Sequence, residues 1–204
     1  MANIPEDHIE DARSILQWLA VSERPLSLQE VAEAAVLRPG DNPIDPDERF
    51  YDSSDVLRIC RGLVSLSKEW LVIRANLIEC NVVRFAHFSV QEYLMSGRAG
   101  SFSISPKLAD TYVGESCVSY LLHMDHPNHS EQCLDGNPLL QYAAQYWFGH
   151  VRRIVSKEKI SNENSVSLRA ALEPLYIQSR SVAKTPLIHT QYRKPKSTWV
   201  ATIV

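Results

Sequence analysis

Val83-Arg84-Phe85-Ala86-His87-Phe88-Ser89-Val90-Gln91-Glu92-Tyr93-Leu94 is a β-prone run that passes straight into a helix start. Ser89 and Glu92 have the S-x-x-E spacing of a capping box, in which the hydroxyl accepts from a backbone N–H and the carboxylate reaches back to the cap. Phe88 and Tyr93 carry the spacing of a hydrophobic staple across it. His87 lies two residues ahead of the expected cap, where unpaired N–H groups and the positive end of the helix dipole gather. Two readings follow. One is a phosphate-type anion contact, which helix starts favour. The other is a partly buried strand-end histidine with a satisfied hydrogen bond.

Upstream, Ile9 to Val21 reads as a helix with Ala12, Ile15, Leu16 and Leu19 on one face. Ser27 with Glu30 repeats the capping-box spacing and opens a second helix, with Leu28, Val31, Ala32 and Ala35 inward. Arg38 to Phe50, rich in Pro, Asp and Asn, reads as a loop. A third helix is expected from Ser53 to Leu66. The runs Trp70–Arg74 and Val82–Phe88, separated by 75–81, predict an antiparallel hairpin. Three helices followed by a hairpin is the order of a winged helix, with the second and third helices as a helix-turn-helix pair.

Downstream, a fourth helix is expected from Val90 to Gly97. Ser105-Pro106 starts a fifth, because serine caps and proline suits the first turn. Val113, Cys117, Tyr120, Leu121 and Met124 form its inner face. Asn137-Pro138 starts a sixth, with Leu140, Ala143, Ala144 and Trp147 inward and Gly149 near its end; His150 to Lys159 adds a short basic helix. From Ser161 onward periodicity fades, apart from a weak helix over Ala170–Ile177. The fold class is therefore mostly α: a winged helix over 1–100, a helical extension over 101–160, and a weakly ordered tail over 161–204.

The 204 residues carry a net charge of −3 and a sequence pI of about 6.2, which provides no strong field for nucleic acid or anionic lipid. Cys60, Cys80, Cys117 and Cys133 are scattered, with no C-x-x-C pair, as free thiols in a reducing compartment would be. No apolar run approaches a membrane span and no secretory leader is visible, so a cytoplasmic location is expected.

Four blocks in order, Ser14–Ala20, Arg24–Ala34, Phe85–Leu94 and Pro138–Trp147, resemble the winged-helix and helical segment that follows the NACHT nucleoside-triphosphatase module in fungal NACHT–ankyrin proteins. That winged helix is of the GPI inositol-deacylase type, and the likeness covers about residues 9 to 155. The resemblance implies part of a signalling NTPase of the class that includes NOD-like receptors. In that class the winged helix folds over the nucleotide module and helps hold its ADP-bound state. Phe85, His87, Ser89, Gln91 and Glu92 match a motif of the F-x-H-x-S-x-Q-E type, whose histidine reaches the ADP phosphate. His87 is thus the nucleotide-contacting candidate, on condition that a NACHT module is present.

The departures shape the rest of the expectation. No G-x-x-x-x-G-K-[ST] loop occurs, so neither ADP nor ATP is expected to bind tightly to this chain alone, and no cofactor is expected. Thr185-Pro186-Leu187-Ile188-His189 echoes the T-P-L-H of an ankyrin repeat with one residue too many. The chain reads as a fragment or truncated form. His123, His126, His129 and Cys133 are the best metal set, but Pro127 and Asn128 break any helix there and a solvated loop is expected instead. No G-x-S-x-G elbow or nucleophilic triad is present, and no catalytic residue is expected. The partner class expected is protein: NACHT and ankyrin-type modules or other signalling proteins. A nucleic-acid-binding winged helix is the alternative, with Arg58 and Arg61 on the third helix opposed by Asp52 and Asp55, and Arg74 and Arg84 on the wing. Trp18, Trp70 and Trp147 read as core or interface residues, and Tyr142, Tyr146 and Trp147, if their surface is exposed, as a docking patch.

Overall fold

The computed structural model describes residues 4–39, 48–73, 76–124 and 136–157. After a 3-10 turn, α1 (Ile9–Val21) leads through a short turn into β1 (Leu26–Ser27) and α2 (Leu28–Val36). Then come α3 (Asp55–Ile59), the hairpin β2 (Val64–Ile73) and β3 (Asn76–Phe85), and α4 (Phe88–Met95). The long helices α5 (Pro106–Met124) and α6 (Leu140–Lys157) complete the described chain. This is a winged helix followed by a helical extension, mostly α, as the sequence predicts.

The first two helices follow the sequence closely. α1 buries Ala12, Ile15, Leu16 and Trp18 along one stripe. α2 opens on the capping box: Ser27 Oγ accepts from Glu30 N–H at 3.2 Å, and Glu30 Oε2 accepts from Ser27 N–H at 2.8 Å. The two-residue strand β1, which periodicity did not reveal, pairs antiparallel with β3, Leu26 opposite Val83 and Ser27 opposite Val82. The sheet order is β1-β3-β2, so β3 is central.

Four expectations are corrected. The third helix does not run to Leu66; α3 ends at Ile59, Gly62 takes a positive φ of 78°, and the chain enters β2 at Val64. A left-handed residue ends a helix and favours glycine. Of the residues read as its inward stripe, Leu63 precedes the strand and Leu66 lies on β2, two residues from Val64 on the same strand face. The hairpin is correspondingly longer than expected, ten residues per strand. α4 starts at Phe88 with His87 as its cap, so Ser89 is not the cap. Gly149 does not end a helix; α6 runs continuously through it to Lys157.

One buried cluster runs from α1 and α2 through the sheet into α5 and α6, including Trp18, Val31, Val56, Val83, Leu94, Val113, Tyr120, Leu139 and Tyr142. Trp18 is enclosed, with its ring edge-on to Tyr142 at 5.6 Å. Of the two readings of Trp70, core or interface, the core is ruled out: the side chain is 63% exposed on the wing. Tyr142 is corrected as a docking residue, since it is fully buried. His126, His129, Cys133, Arg74, Trp199, the side chains of His123 and Met124, most of the 38–50 loop and the 161–204 tail lie outside the described residues.

Candidate functional site

The candidate centres on the β3–α4 junction. Ala86 N–H donates to Leu63 O at 2.9 Å, anchoring the end of β3 against the start of β2. His87 follows in extended backbone (φ −152°, ψ 150°), the geometry of a helix cap. Its Nδ1 accepts from Ser89 N–H at 3.1 Å and lies 2.8 Å from Ser89 Oγ. An acceptor role at Nδ1 places the proton of the neutral ring on Nε2. The side chain is exposed, so that N–H is a donor presented to solvent at a helix start. Such a group can donate one hydrogen bond to an anionic oxygen.

Around it, Phe85 is half-buried, Gln91 is half-buried, and Ser89 and Glu92 are exposed. Phe88, next in the chain, is 68% exposed and Tyr93 40%, so both present apolar surface on α4. The Arg98 guanidinium lies 5.8 Å from the Tyr93 ring centroid, within reach of a cation–π contact. The helix is held from behind by buried Leu94, whose carbonyl accepts from Ile104 N–H at 2.8 Å.

A second surface lies on the wing. Leu66, Trp70, Val72 and Leu77 all point to one face of the hairpin and all are exposed. On that face Lys68 lies 3.4 Å from Glu79, and on the opposite face Arg84 donates to both Glu69 oxygens, at 2.5 and 2.7 Å. Arg84, helped by the Ser67 hydroxyl, lowers the Glu69 carboxyl from its ordinary value against the opposing effect of burial.

The face expected to meet nucleic acid is poorly built for it. α3 has only five residues, and Arg61 lies beyond its end. At 1.5 Å rise per residue it is about 8 Å long, short for a helix reading a major groove. Arg58 is paired with Asp55 at 3.2 Å and Arg84 with Glu69. Among the described residues no three His, Cys, Asp or Glu side chains converge on a metal position. Burial pushes the Cys60 thiol up to about 12 and raises Cys117 also, which leaves both as packing groups at neutral pH. Among the described residues no helix is long and apolar enough to cross a membrane.

These features, three short helices, a long hairpin and a fourth helix capped by histidine, converge with the family comparison. Residues 6–105 match the family model described as GPI inositol-deacylase, winged helix domain. The winged helix domain so matched ends at Ser105, one residue before α5 begins. The chain is also similar to the azaphilone pigments biosynthesis cluster protein L of Monascus ruber, 34% identical over 161 residues, covering 74% of this chain and 33% of that protein. The chain thus spans about a third of the length of the curated relative it matches. No solved structure matches it significantly.

Sequence reasoning missed the polar residues that fasten the winged helix domain to the helical extension. Arg49 bridges Glu33 of α2 at 2.6 Å and Asn137 at 3.1 Å, and Tyr120 of α5 donates to the same Glu33 at 2.8 Å. On the other side, Glu23 meets Tyr142 and Arg153 of α6, Arg24 covers the Tyr142 ring, and the Tyr142 hydroxyl in turn meets His150. The only sequence signal is the wide spacing of polar residues on otherwise apolar helix faces, which does not name partners in advance.

Proposed function

We propose that this chain is a non-catalytic interaction module of a NACHT-type signalling NTPase, the arm that links a nucleotide module to a sensor repeat array. The observation that carries the reading is His87: a helix-cap imidazole with its Nδ1 tied down and its Nε2–H turned to solvent. A lone donor of that kind has too few contacts to hold a nucleotide, but suits a lid that adds one hydrogen bond to a phosphate already bound elsewhere. The exposed Leu66, Trp70, Val72 and Leu77 supply apolar contact area next to the paired Lys68 and Glu79, and Arg84 on the other face is neutralised by Glu69, which favours a protein partner over a polyanion. His87 is the nucleotide-contacting residue in that assembly. No catalytic residue, metal or resident cofactor is assigned to the chain, and its place of work is the cytoplasm.

The test has two parts. Incubated with labelled ATP, the 204-residue chain is expected to give no turnover. In a longer polypeptide carrying an upstream phosphate-binding loop, His87→Ala is expected to loosen ADP by about tenfold, the worth of one charge-assisted hydrogen bond. Stoichiometric turnover by the chain alone, or unchanged ADP affinity in the variant, would overturn the reading. Salt-dependent binding to random duplex DNA would favour the nucleic-acid alternative instead.

A further inference from the structure

Where α6 crosses α5 and the turn after α1, the backbones come unusually close. A Cβ on Gly114 would lie 3.3 Å from His150 Cβ, and one on Gly149 would lie 2.7 Å from Glu23 Oε1. Glycine inside a helix costs about 1 kcal/mol relative to alanine. At position 149 it makes room for a carboxylate against the helix.

In this crossing His150 is fully buried. Its Nδ1 lies 3.0 Å from Asp110 Oδ1 of α5, and its Nε2 lies 2.9 Å from the Tyr142 hydroxyl. A carboxylate only accepts, so Nδ1 carries the proton and Nε2 takes one from Tyr142. The Tyr142 oxygen in turn accepts Glu23 N–H at 3.0 Å. Arg153 donates to Asp110 Oδ1 at 2.8 Å and to Glu23 Oε1.

The groups around the imidazole can be named element by element. From α5 come Asp110 and, beside Tyr142, the Cys117 thiol. From α6 come Tyr142, Arg153 and, stacked beyond Tyr142, Tyr146. From the turn come Glu23, the Ser22 hydroxyl beside Tyr142, and Arg24, whose guanidinium covers both tyrosine rings and is paired with Glu30.

We propose that the Asp110–His150–Tyr142 chain is a proton-operated latch: one proton taken up by His150 releases α6 from α5 and from the Glu23–Arg24 turn while the winged helix stays folded. A second proton on the ring would oppose the Tyr142 hydroxyl proton across a bond that the neutral ring accepts. The Asp110 oxygen that faces the ring is already shared with Arg153. Burial is the largest influence on His150 and lowers its pKa from the ordinary 6.5, with the Arg153 charge acting the same way and Asp110 opposing. With α6 open, the ring titrates near its ordinary value. The open form therefore binds more protons, and opening is favoured as pH falls below about 6.5. Within the shared buried cluster, Ala12, Ile15, Val31, Val56 and Val83 all come from α1, α2, α3 and β3, so they remain with the winged helix when α6 leaves. Release of α6 would also break the Gln141 bond to Val72 O and bare the wing tip.

The latch goes beyond the NACHT-linked role and stands or falls apart from it. Amide exchange, corrected for its intrinsic pH dependence and read separately on residues 140–157 and 64–85, tests it. From about pH 7.5 to pH 5, opening of α6 is expected to rise several-fold while the sheet stays protected. His150→Gln should abolish that rise. Loss of protection in both segments together, or a pH dependence that survives in the variant, would overturn the latch. Should the variant fail to fold, the labelled imidazole of the natural protein is titrated by NMR. Opening of α6 in step with His150 protonation supports the latch, and opening with His150 still neutral overturns it.

Discussion

At the start of α2 the cap is enclosed; at the start of α4 it stands in water. Ser27 and Glu30 exchange hydrogen bonds across the first turn of α2, both buried, and Arg24 closes the site with two bonds to the Glu30 carboxylate, at 2.9 and 2.6 Å. Ser89 and Glu92 have the same spacing, yet Ser89 lies inside α4 and both face solvent. The difference comes from what precedes each serine. Ser27 is pinned as a strand residue opposite Val82, so its backbone is extended and the helix has to begin after it. Before Ser89 the sheet ends at Phe85, and the extended residue at the corner is His87. The chain caps where the sheet releases it, and the histidine occupies that place. A histidine cap leaves a ring nitrogen facing outward, which a serine cap would not.

The largest break in the comparison is Glu30→Ala. It removes the acceptor of Ser27 N–H and strands a guanidinium that is only 14% exposed. Burial opposes the charge on Arg24, and Glu30 with Tyr146 and Tyr142 more than offsets it, holding the pKa above its ordinary value. Removing one partner of such a pair costs about 3–5 kcal/mol. Urea denaturation is expected to show that loss at unchanged slope, and a loss under 1 kcal/mol would mean that the pair is not closed in solution. Ser27→Ala comes next, at about 1–2 kcal/mol, because it removes one cap bond and leaves the ion pair in place. If the two variants cost the same, the capping box acts as a unit and the contribution of Arg24 is small; a double-mutant cycle separates the cases.

This comparison also shows where the sequence was legible. α1 and the Ser27 box could be read because their signals are local: periodicity and a spacing of three, in a stretch whose neighbours agree. The Ser53–Leu66 stretch misled because Val56, Ile59, Leu63 and Leu66 keep helical spacing by chance across a glycine that reverses the chain. Hydrophobic spacing alone cannot tell a helix from a turn followed by a strand, and here Leu63 ends half-buried and Leu66 exposed. β1 was illegible because two residues carry no period, and its partner Val82–Val83 is over fifty positions away. The candidate site was half visible. His87 could be named, but its role as cap depended on where the sheet ends. The buried contacts of Tyr142 and His150 depended on a helix crossing that no local pattern encodes.

The smallest expected effects sharpen the comparison most. If His87 is the true cap of α4, His87→Ala should cost about 0.5–1 kcal/mol in stability, toward the low end for caps because the site is wet. Ser89→Ala should then stay within about 0.5 kcal/mol, since its hydroxyl bonds only to an exposed ring and its N–H keeps a partner in Nδ1 or water. Glu92→Ala should be equally mild. The reverse order, with Ser89→Ala costing more than His87→Ala, would restore the sequence-derived box at 89–92 and move the start of the helix two residues on. His87→Asn decides between a cap and a donor. Asparagine caps as well as any residue, so stability should be kept. Its short amide lacks the reach of Nε2, so any phosphate contact made in a larger assembly should be lost while the fold is unchanged.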